Sequence, residues 1–459
     1  MSTATTTTAN KSGFLTIAVT ALMLFSMFFG AGNLIFPPMI GVESGTSFLP
    51  AILGFLGTGV LLPVLAVIAI SLSGNNVRDL ARRGGAIFGF FFPILAYLSI
   101  GAFYALPRTG AVSMETAVTP LTGWSGLLAS GIFNTLFFGI ALILSWNPNK
   151  IVDTLGRVLT PALAVLLVIL ITLAVTTMNG EPGAPTEKYA EAPFATGLLE
   201  GYLTMDSIAA LAFSIVVIST LRYKGIPEGK PLVQGTILAG LGAGLLLAAI
   251  YLGLGMIGQV IENGAQFDNG APLLSDAALQ TMGQAGQIIF ALIVLLACMT
   301  TAVGLITSTS EFFNTIFPGV SYKAWAIIFT VASIAMATQG LDQVMVIAAP
   351  VITFLYPPAI TLIFVALIEP LFRSRTYFFW AYRLPIWVAI IWSAITVIIS
   401  LGWGANVLSP LVGWSPMQDL SLGWVLPVVG AFVIGLVLDF VQKREAPTDE
   451  RSFLARITA

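Results

Sequence analysis

The chain has 459 residues, of which 57% are hydrophobic and only 9% charged, and its 19 basic and 21 acidic side chains give a formal net charge of −2. Soluble domains are about one-quarter charged, so a water-soluble globule is excluded. So is a disulfide scaffold, with one cysteine, and the near-neutral balance gives no footing for nucleic acid. There is no histidine, which removes the commonest zinc ligand and the usual proton relay near neutral pH. What remains is an all-α polytopic membrane protein.

A helix needs about 20 mostly apolar residues to cross a bilayer core. In chain order, stretches that meet this lie at 13–40, 47–72, 85–112, 123–146, 151–177, 195–221, 233–261, 284–314, 322–338, 344–371, 378–403 and 422–441, about twelve in all. The polar start from Met1 to Lys11 precedes a first stretch too long for a cleaved signal peptide, so that stretch is read as a retained helix. If the N-terminus is cytoplasmic, every basic residue except Arg108 and Lys188 falls in a cytoplasmic loop or tail. The opposite loops carry acids: Glu43, then Glu181, Glu187 and Glu191, then Glu262, Asp268 and Asp276, then Asp342 and Asp419. Cytoplasmic loops hold the Lys/Arg excess, so the alternation predicts that both termini are cytoplasmic.

Two spans are interrupted near mid-membrane. The first reads Ser26-Met-Phe-Phe-Gly-Ala-Gly-Asn-Leu-Ile-Phe-Pro-Pro38. Two glycines and an asparagine within four residues weaken a helix by roughly 2 kcal/mol against alanine. The alternative is close helix packing, which glycines also serve in membranes. The sixth span reads Gly201-Tyr-Leu-Thr-Met-Asp-Ser-Ile208, with a carboxylate near the bilayer centre, where a charge costs at least ~2.5 kcal/mol. The breaks fall five helices apart, in spans of opposite sense. Interruptions at matching places in two halves point to a transporter of inverted repeats with its site at the midplane. The expected layout is a tail over 1–12, repeats over 13–180 and 181–371, a peripheral helix pair over 372–441, and a tail over 442–459.

Four separated motifs carry a resemblance: Phe29-Gly-Ala-Gly-Asn-Leu-Ile-Phe-Pro-Pro, Tyr104-Ala-Leu-Pro-Arg-Thr, Gly201-Tyr-Leu-Thr-Met-Asp and Ala297-Cys-Met-Thr-Thr-Ala-Val-Gly-Leu. In these the chain resembles the branched-chain amino acid:cation symporters, the BrnQ-type LIVCS family, over nearly its whole length. That resemblance implies a LeuT-like fold, with five-plus-five inverted repeats and discontinuous first and sixth spans. It also implies sodium-coupled uptake of leucine, isoleucine and valine across a bacterial inner membrane, without an organic cofactor; a monomer is expected.

An amino acid zwitterion needs donors for its carboxylate and acceptors for its ammonium. A broken helix offers N–H groups where one half starts and free carbonyls where the other ends. The carboxylate is therefore expected at Ala31, Gly32 and Asn33, with Tyr104 as a further donor. The ammonium is expected at carbonyls near Phe28 and from Tyr202 through Leu203 to Thr204, with Asp206 as a direct or water-bridged partner. Phe103, Met205, Ile208 and Leu305 are candidates for the apolar pocket, and each is also an ordinary core residue. Sodium prefers oxygen ligands. Carried over from LeuT-like transporters, its site would take the hydroxyls of Thr300 and Thr301 and the carbonyls of Ala297, Ser26 and Phe29. Threonines in membrane helices also bond their own preceding turn, which is the plain alternative. A second ion would use Asn33 and Thr204. Arg108, always protonated, is a gate or scaffold charge, to be paired with Glu115, Glu43 or Asp206.

Proton coupling through Asp206 is the alternative drive. A channel has against it the lack of a charged ring or carbonyl filter. An intramembrane enzyme or an ATP-driven pump has no HExxH, Cys/His pair or P-loop to work with.

Overall fold

In hydrocarbon every backbone N–H and C=O must be satisfied within the protein, so the long Leu, Ile, Val, Phe and Ala runs of this chain fold as helices. The computed structural model describes residues 4–74, 76–147, 155–372, 375–418 and 420–445, and these are helical with no strand. Lys150, Arg373, Asp419, Arg451 and Arg456, the start of the fifth span at Ile151 and most of the 442–459 tail lie outside the described residues.

The first span is two helices, α1 (Ala4–Phe28) and α2 (Ala31–Ser44). The second joins α3 (Phe48–Leu56) to α4 (Leu62–Ser73) through a π-helical turn over Gly57–Leu61. After the short α5 (Val77–Ala81), the third span runs as α6 (Ala86–Leu98), a π turn at Ser99–Phe103, α7 (Ala105–Ser113), a second π turn, and α8 (Thr119–Thr122). Helices α9 (Leu127–Ser145) and α10 (Thr160–Thr177) follow, then α11 (Glu187–Ala190). The sixth span is again two pieces, α12 (Pro193–Tyr202) and α13 (Asp206–Tyr223). The rest is α14 (Lys230–Val260), α15 (Gly270–Met282), α16 (Gln284–Ile316), α17 (Tyr322–Thr338), α18 (Leu341–Phe372), α19 (Trp380–Ser400), α20 (Ala405–Val412) and α21 (Val425–Gln442).

Ten helical stretches among the described residues are long and apolar enough to cross a membrane, beside the shorter Gly13–Phe28 and Tyr322–Thr338. The twelve expected spans do not reappear one for one. The breaks cut the first and sixth spans, and a continuous helical run over Gly32–Ser73 joins the second half of the first span to the second. Helices α15 and α20 were not anticipated. At 13 and eight residues they are too short to cross.

Glycines bring the halves of the broken spans hard against their neighbours. A Cβ at Gly41 of α2 would run into the Gly255 carbonyl of α14, and one at Gly197 of α12 into the Ala51 carbonyl of α3. Such close backbone approach is how membrane helices gain packing without a hydrophobic drive. It holds α2 to α14 and α12 to α3, leaving the two breaks facing the bundle centre.

Candidate functional site

Helix α1 stops at Phe28, and Gly30 is extended (φ −111°, ψ −162°) before α2 begins. The Gly30 N–H donates to Asn33 Oδ1 at 3.1 Å, so Asn33 caps its own helix from inside. In the sixth span the turn at Leu203–Met205 puts Met205 at φ 63°, a left-handed conformation that costs a non-glycine residue about 1–2 kcal/mol. That turn delivers Asp206 into the first turn of α13, where the helix dipole favours a carboxylate. The two breaks are tied together. Asn33 Nδ2 donates to Asp206 Oδ2 at 2.7 Å and also to the Tyr251 hydroxyl of α14, which donates to the same Asp206 oxygen at 3.0 Å. All three side chains are buried.

The third span has its own interruption. Pro107 has no N–H, and its ring excludes the carbonyl four residues back, that of Phe103. The helix yields there: the π turn ends at Phe103, and Tyr104 leaves helical geometry at φ −145°, ψ −75°. This turns Tyr104 and Arg108 inward, to 2% and 6% exposure. Arg108 Nη1 donates to the Tyr104 hydroxyl at 2.5 Å, and its guanidinium lies so close to Gly32 that a Cβ there would come within 3.1 Å of Nη2.

These elements enclose a cavity of about 40 Å³. That is room for a few waters, so the walls must part for a branched amino acid, and the flexible Met27 and Met205 among them suit that. Phe28, Gly32, Asn33, Tyr104, Thr204, Met205, Asp206 and Leu305, all expected at the substrate, line it together with Arg108 and Thr301. Ala31 opens α2 beside it. Tyr202 and Leu203 are not among its lining: Tyr202 packs on Tyr356 with ring centroids 5.0 Å apart, and Leu203 is 44% exposed. Phe103, 45% exposed, turns outward on the far side of the Tyr104 break, and Ile208 is buried in the core behind it. The wall that the sequence reading missed includes Ile100, Ala105, Ala209 and Phe213.

Beside the cavity, α16 meets the end of α1. Thr300 Oγ1 donates to the Ser26 carbonyl at 2.9 Å and lies 3.0 Å from that of Ala297. Thr301 Oγ1 is 3.1 Å from the Met27 carbonyl and 3.4 Å from that of Ser26. The oxygens that meet here come from Ser26, Ala297, Thr300 and Thr301, four of those expected, joined by the Met27 carbonyl. The Phe29 ring stacks on Phe25 and packs against Tyr251. Asn33 and Thr204, expected at a second ion, are engaged within the protein: the Thr204 hydroxyl donates to the Gly201 carbonyl at 2.9 Å.

The family model described as "Branched-chain amino acid transport protein" matches residues 14–442. The chain is 56% identical to the branched-chain amino acid permease BrnQ of Corynebacterium glutamicum, over 93% of this chain and 96% of that one. It is 39% identical to the branched-chain amino acid transport system 2 carrier protein of Pseudomonas aeruginosa, over 91% and 94%. The chain belongs to the branched-chain amino acid transport protein family. Among solved structures it is similar to Mhp1, a nucleobase-cation-symport-1 family transporter in a closed conformation, with a TM-score of 0.61 and 15% identity over 96% of both chains. The fold is thus the LeuT-like one, and the chain is a multi-pass membrane transporter rather than an enzyme.

The other charges of this transporter correct several expectations. Among the described residues neither Glu115 nor Glu43 forms an ion pair with Arg108. Glu115 accepts from the Leu341 N–H at 3.1 Å, at the start of α18, and Glu43 binds Lys188 at 3.1 Å. Asp206 shares the cavity with Arg108 but makes no ion pair with it among the described residues. Asp439 is fully buried and accepts the backbone N–H groups of Phe379, Trp380 and Ala381 at 2.8–2.9 Å. It serves as a cap from a neighbouring helix for the orphan donors at the start of α19.

Proposed function

We propose that the chain imports leucine, isoleucine and valine together with Na⁺ by alternating access, as a single chain with both termini cytoplasmic. The observation that carries this reading is one cavity bordered by two broken helices, with a cluster of five oxygens on its edge. The branched side chain goes to the apolar wall of Ile100, Ala209, Phe213 and Leu305. One methylene changes binding by only ~1–3 kcal/mol, so all three substrates are accepted. The ammonium goes to Asp206. Sodium takes the Thr300 and Thr301 hydroxyls and the carbonyls of Ser26, Met27 and Ala297, a neutral, all-oxygen set of the kind a hard cation prefers. Because this set bonds α16 to the tip of α1, an ion there stabilises one arrangement of the broken span over another, which is how binding is coupled to a conformational step. Names of the relatives support the substrate class.

Proton coupling is the second reading, favoured by one observation: a buried carboxyl, Asp206, on the cavity wall. Radiolabelled leucine uptake into proteoliposomes separates the two. Uptake driven by an inward Na⁺ gradient, and absent with lithium or choline, supports the proposal. Uptake driven by a pH gradient and indifferent to Na⁺ overturns the sodium assignment.

A further inference from the structure

We infer that Arg108, acting with the start of α2, is the receptor for the substrate's carboxylate and so sets the requirement for an amino acid rather than an amine. This rests on the cavity being the substrate site and adds to it the group that reads the carboxylate's charge.

Three observations converge. The first is electrostatic. Helix α2 begins at Ala31 with its N–H dipoles directed at the cavity, and Gly32 in its first turn lets the guanidinium come within van der Waals reach of the backbone. A cation is disfavoured at a helix N-terminus, and Arg108 stands at two, because it also lies in the first turn of α7. Donor dipoles and a fixed positive charge that gather at one point form an anion receptor.

The second concerns hydrogen bonds. Arg108 is 94% buried, as its 6% exposure shows, yet its Nε has no hydrogen-bond partner among the described residues. Its Nη1 is held by the Tyr104 hydroxyl, which accepts at 2.5 Å, and the guanidinium carbon sits 5.4 Å from that ring's centre. The Tyr104 contact fixes the fork and leaves another edge available for a carboxylate, which guanidinium binds bidentately.

The third is charge balance. Asp206 lies on the same cavity but is bonded to Asn33 and Tyr251, both neutral, and not to Arg108. Opposite charges kept apart across one cavity match a zwitterion, ammonium to Asp206 and carboxylate to Arg108. The ligand then enters with no net change of charge at the site, and the coupling cation need not neutralise its carboxylate.

The test measures binding of leucine and of leucinamide, which keeps the ammonium and side chain but has no carboxylate, to the purified full-length transporter in Na⁺. In the wild type leucinamide binds about 100-fold more weakly than leucine, the cost of leaving one partner of a buried charge pair unmatched. Arg108→Gln weakens leucine by a similar factor but changes leucinamide by less than about 3-fold, so the preference collapses. Equal losses for both ligands would assign Arg108 to scaffolding and overturn the inference, as would unchanged leucine binding. Gly32→Ala gives an independent reading if Arg108→Gln does not fold: its methyl crowds the guanidinium, and the leucine-to-leucinamide ratio falls. An unmoved ratio refutes the role. Ala209→Trp fills the apolar wall and tests the site itself. Leucine binding lost in Ala209→Trp but intact in Arg108→Gln refutes only the Arg108 role, whereas leucine binding intact in Ala209→Trp refutes the cavity as the substrate site.

Discussion

Among the described residues two arginine–carboxylate sets are buried in this transporter, and they are built in opposite ways. Arg83, in the single turn Arg82–Gly84 that follows α5, contacts Glu369 of α18 directly, and Tyr382 of α19 donates its hydroxyl to the same carboxylate at 3.0 Å. Each charge there is answered by the other, and three elements are pinned. Arg108 and Asp206 are as deeply buried, but each is bonded to neutral side chains and, among the described residues, they face one cavity without an ion pair. A charge pair that closes on itself serves the fold. One held open keeps its interaction energy for a ligand that carries both signs.

The comparison makes its largest prediction at the closed pair. Glu369→Ala leaves Arg83 buried without its counter-charge and should cost about 3–5 kcal/mol of stability. Removing both charges in Arg83→Met with Glu369→Leu should restore most of it, since apolar replacement of a whole buried pair is often neutral. Unfolding in detergent measures both, and a double variant no more stable than the single one would break the distinction. At the open set the pattern reverses. Asp206→Asn keeps an acceptor for Asn33 and Tyr251 but loses the charge, so leucine uptake should fall about 100-fold while the melting temperature moves little. A stability loss at Asp206 as large as at Glu369 would show that both sets are scaffolding.

A smaller effect per residue is expected at the oxygen cluster. Thr300→Ala with Thr301→Ala removes two of five candidate ligands and leaves carbonyls that the chain already supplies. At about 1.5 kcal/mol or more per polar contact to a charge, the Na⁺ concentration for half-maximal leucine uptake should rise at least about 10-fold per hydroxyl. Leucine binding at saturating Na⁺ should change much less. An unchanged Na⁺ requirement removes this cluster from the mechanism.

Much of the frame was readable from residue order because lipid leaves the backbone few choices. Apolar runs had to be helices, and Gly30, Gly32 and Asn33, with a mid-span Asp206 at the matching place of the other half, pointed to where the helix gives way rather than to close packing alone. The Thr300–Thr301 pair was placed by its resemblance to a known pattern, whereas the Met27 carbonyl beside it was not anticipated, because how an unwound segment turns its carbonyls depends on contacts that span it. The break at Tyr104 was missed although its signal, Pro107 three residues on, stood in a quoted motif. It was read as part of the motif and not as a proline inside a helix. Tyr251 was invisible for a different reason. A tyrosine in a 31-residue apolar helix has the same local pattern whether its hydroxyl meets a carboxylate or nothing, and only the packing of α14 against both breaks distinguishes the cases. Arg108 was noticed as an isolated charge, but partners were sought among acids, whereas its hydrogen bond goes to the neutral Tyr104 hydroxyl one turn away.

The smallest effect tests whether an exposed charge cluster behaves unlike either buried set. Lys188 of α11 bonds Glu43, at the end of α2, at 3.1 Å and Glu200 of α12 at 2.8 Å, so it bridges halves of the two broken spans. Its side chain is 47% exposed, and screening by solvent limits such a cluster to about 1 kcal/mol or less. Partial burial pulls the Lys188 amine down, but hydrogen bonds and charge from Glu200 and Glu43 outweigh it and hold the pKa above the ordinary lysine value. A raised lysine pKa contributes stability that is fully present below the unfolded value, about 10.4, and is lost only as pH rises through the folded one. Lys188→Ala should therefore lower stability slightly and equally from pH 6 to 9, with the difference from wild type shrinking only in strong alkali or high salt. A loss near neutral pH as large as that of Glu369→Ala would mean that the bridge between α2 and α12 belongs with the closed pair, as a fastening the fold cannot do without.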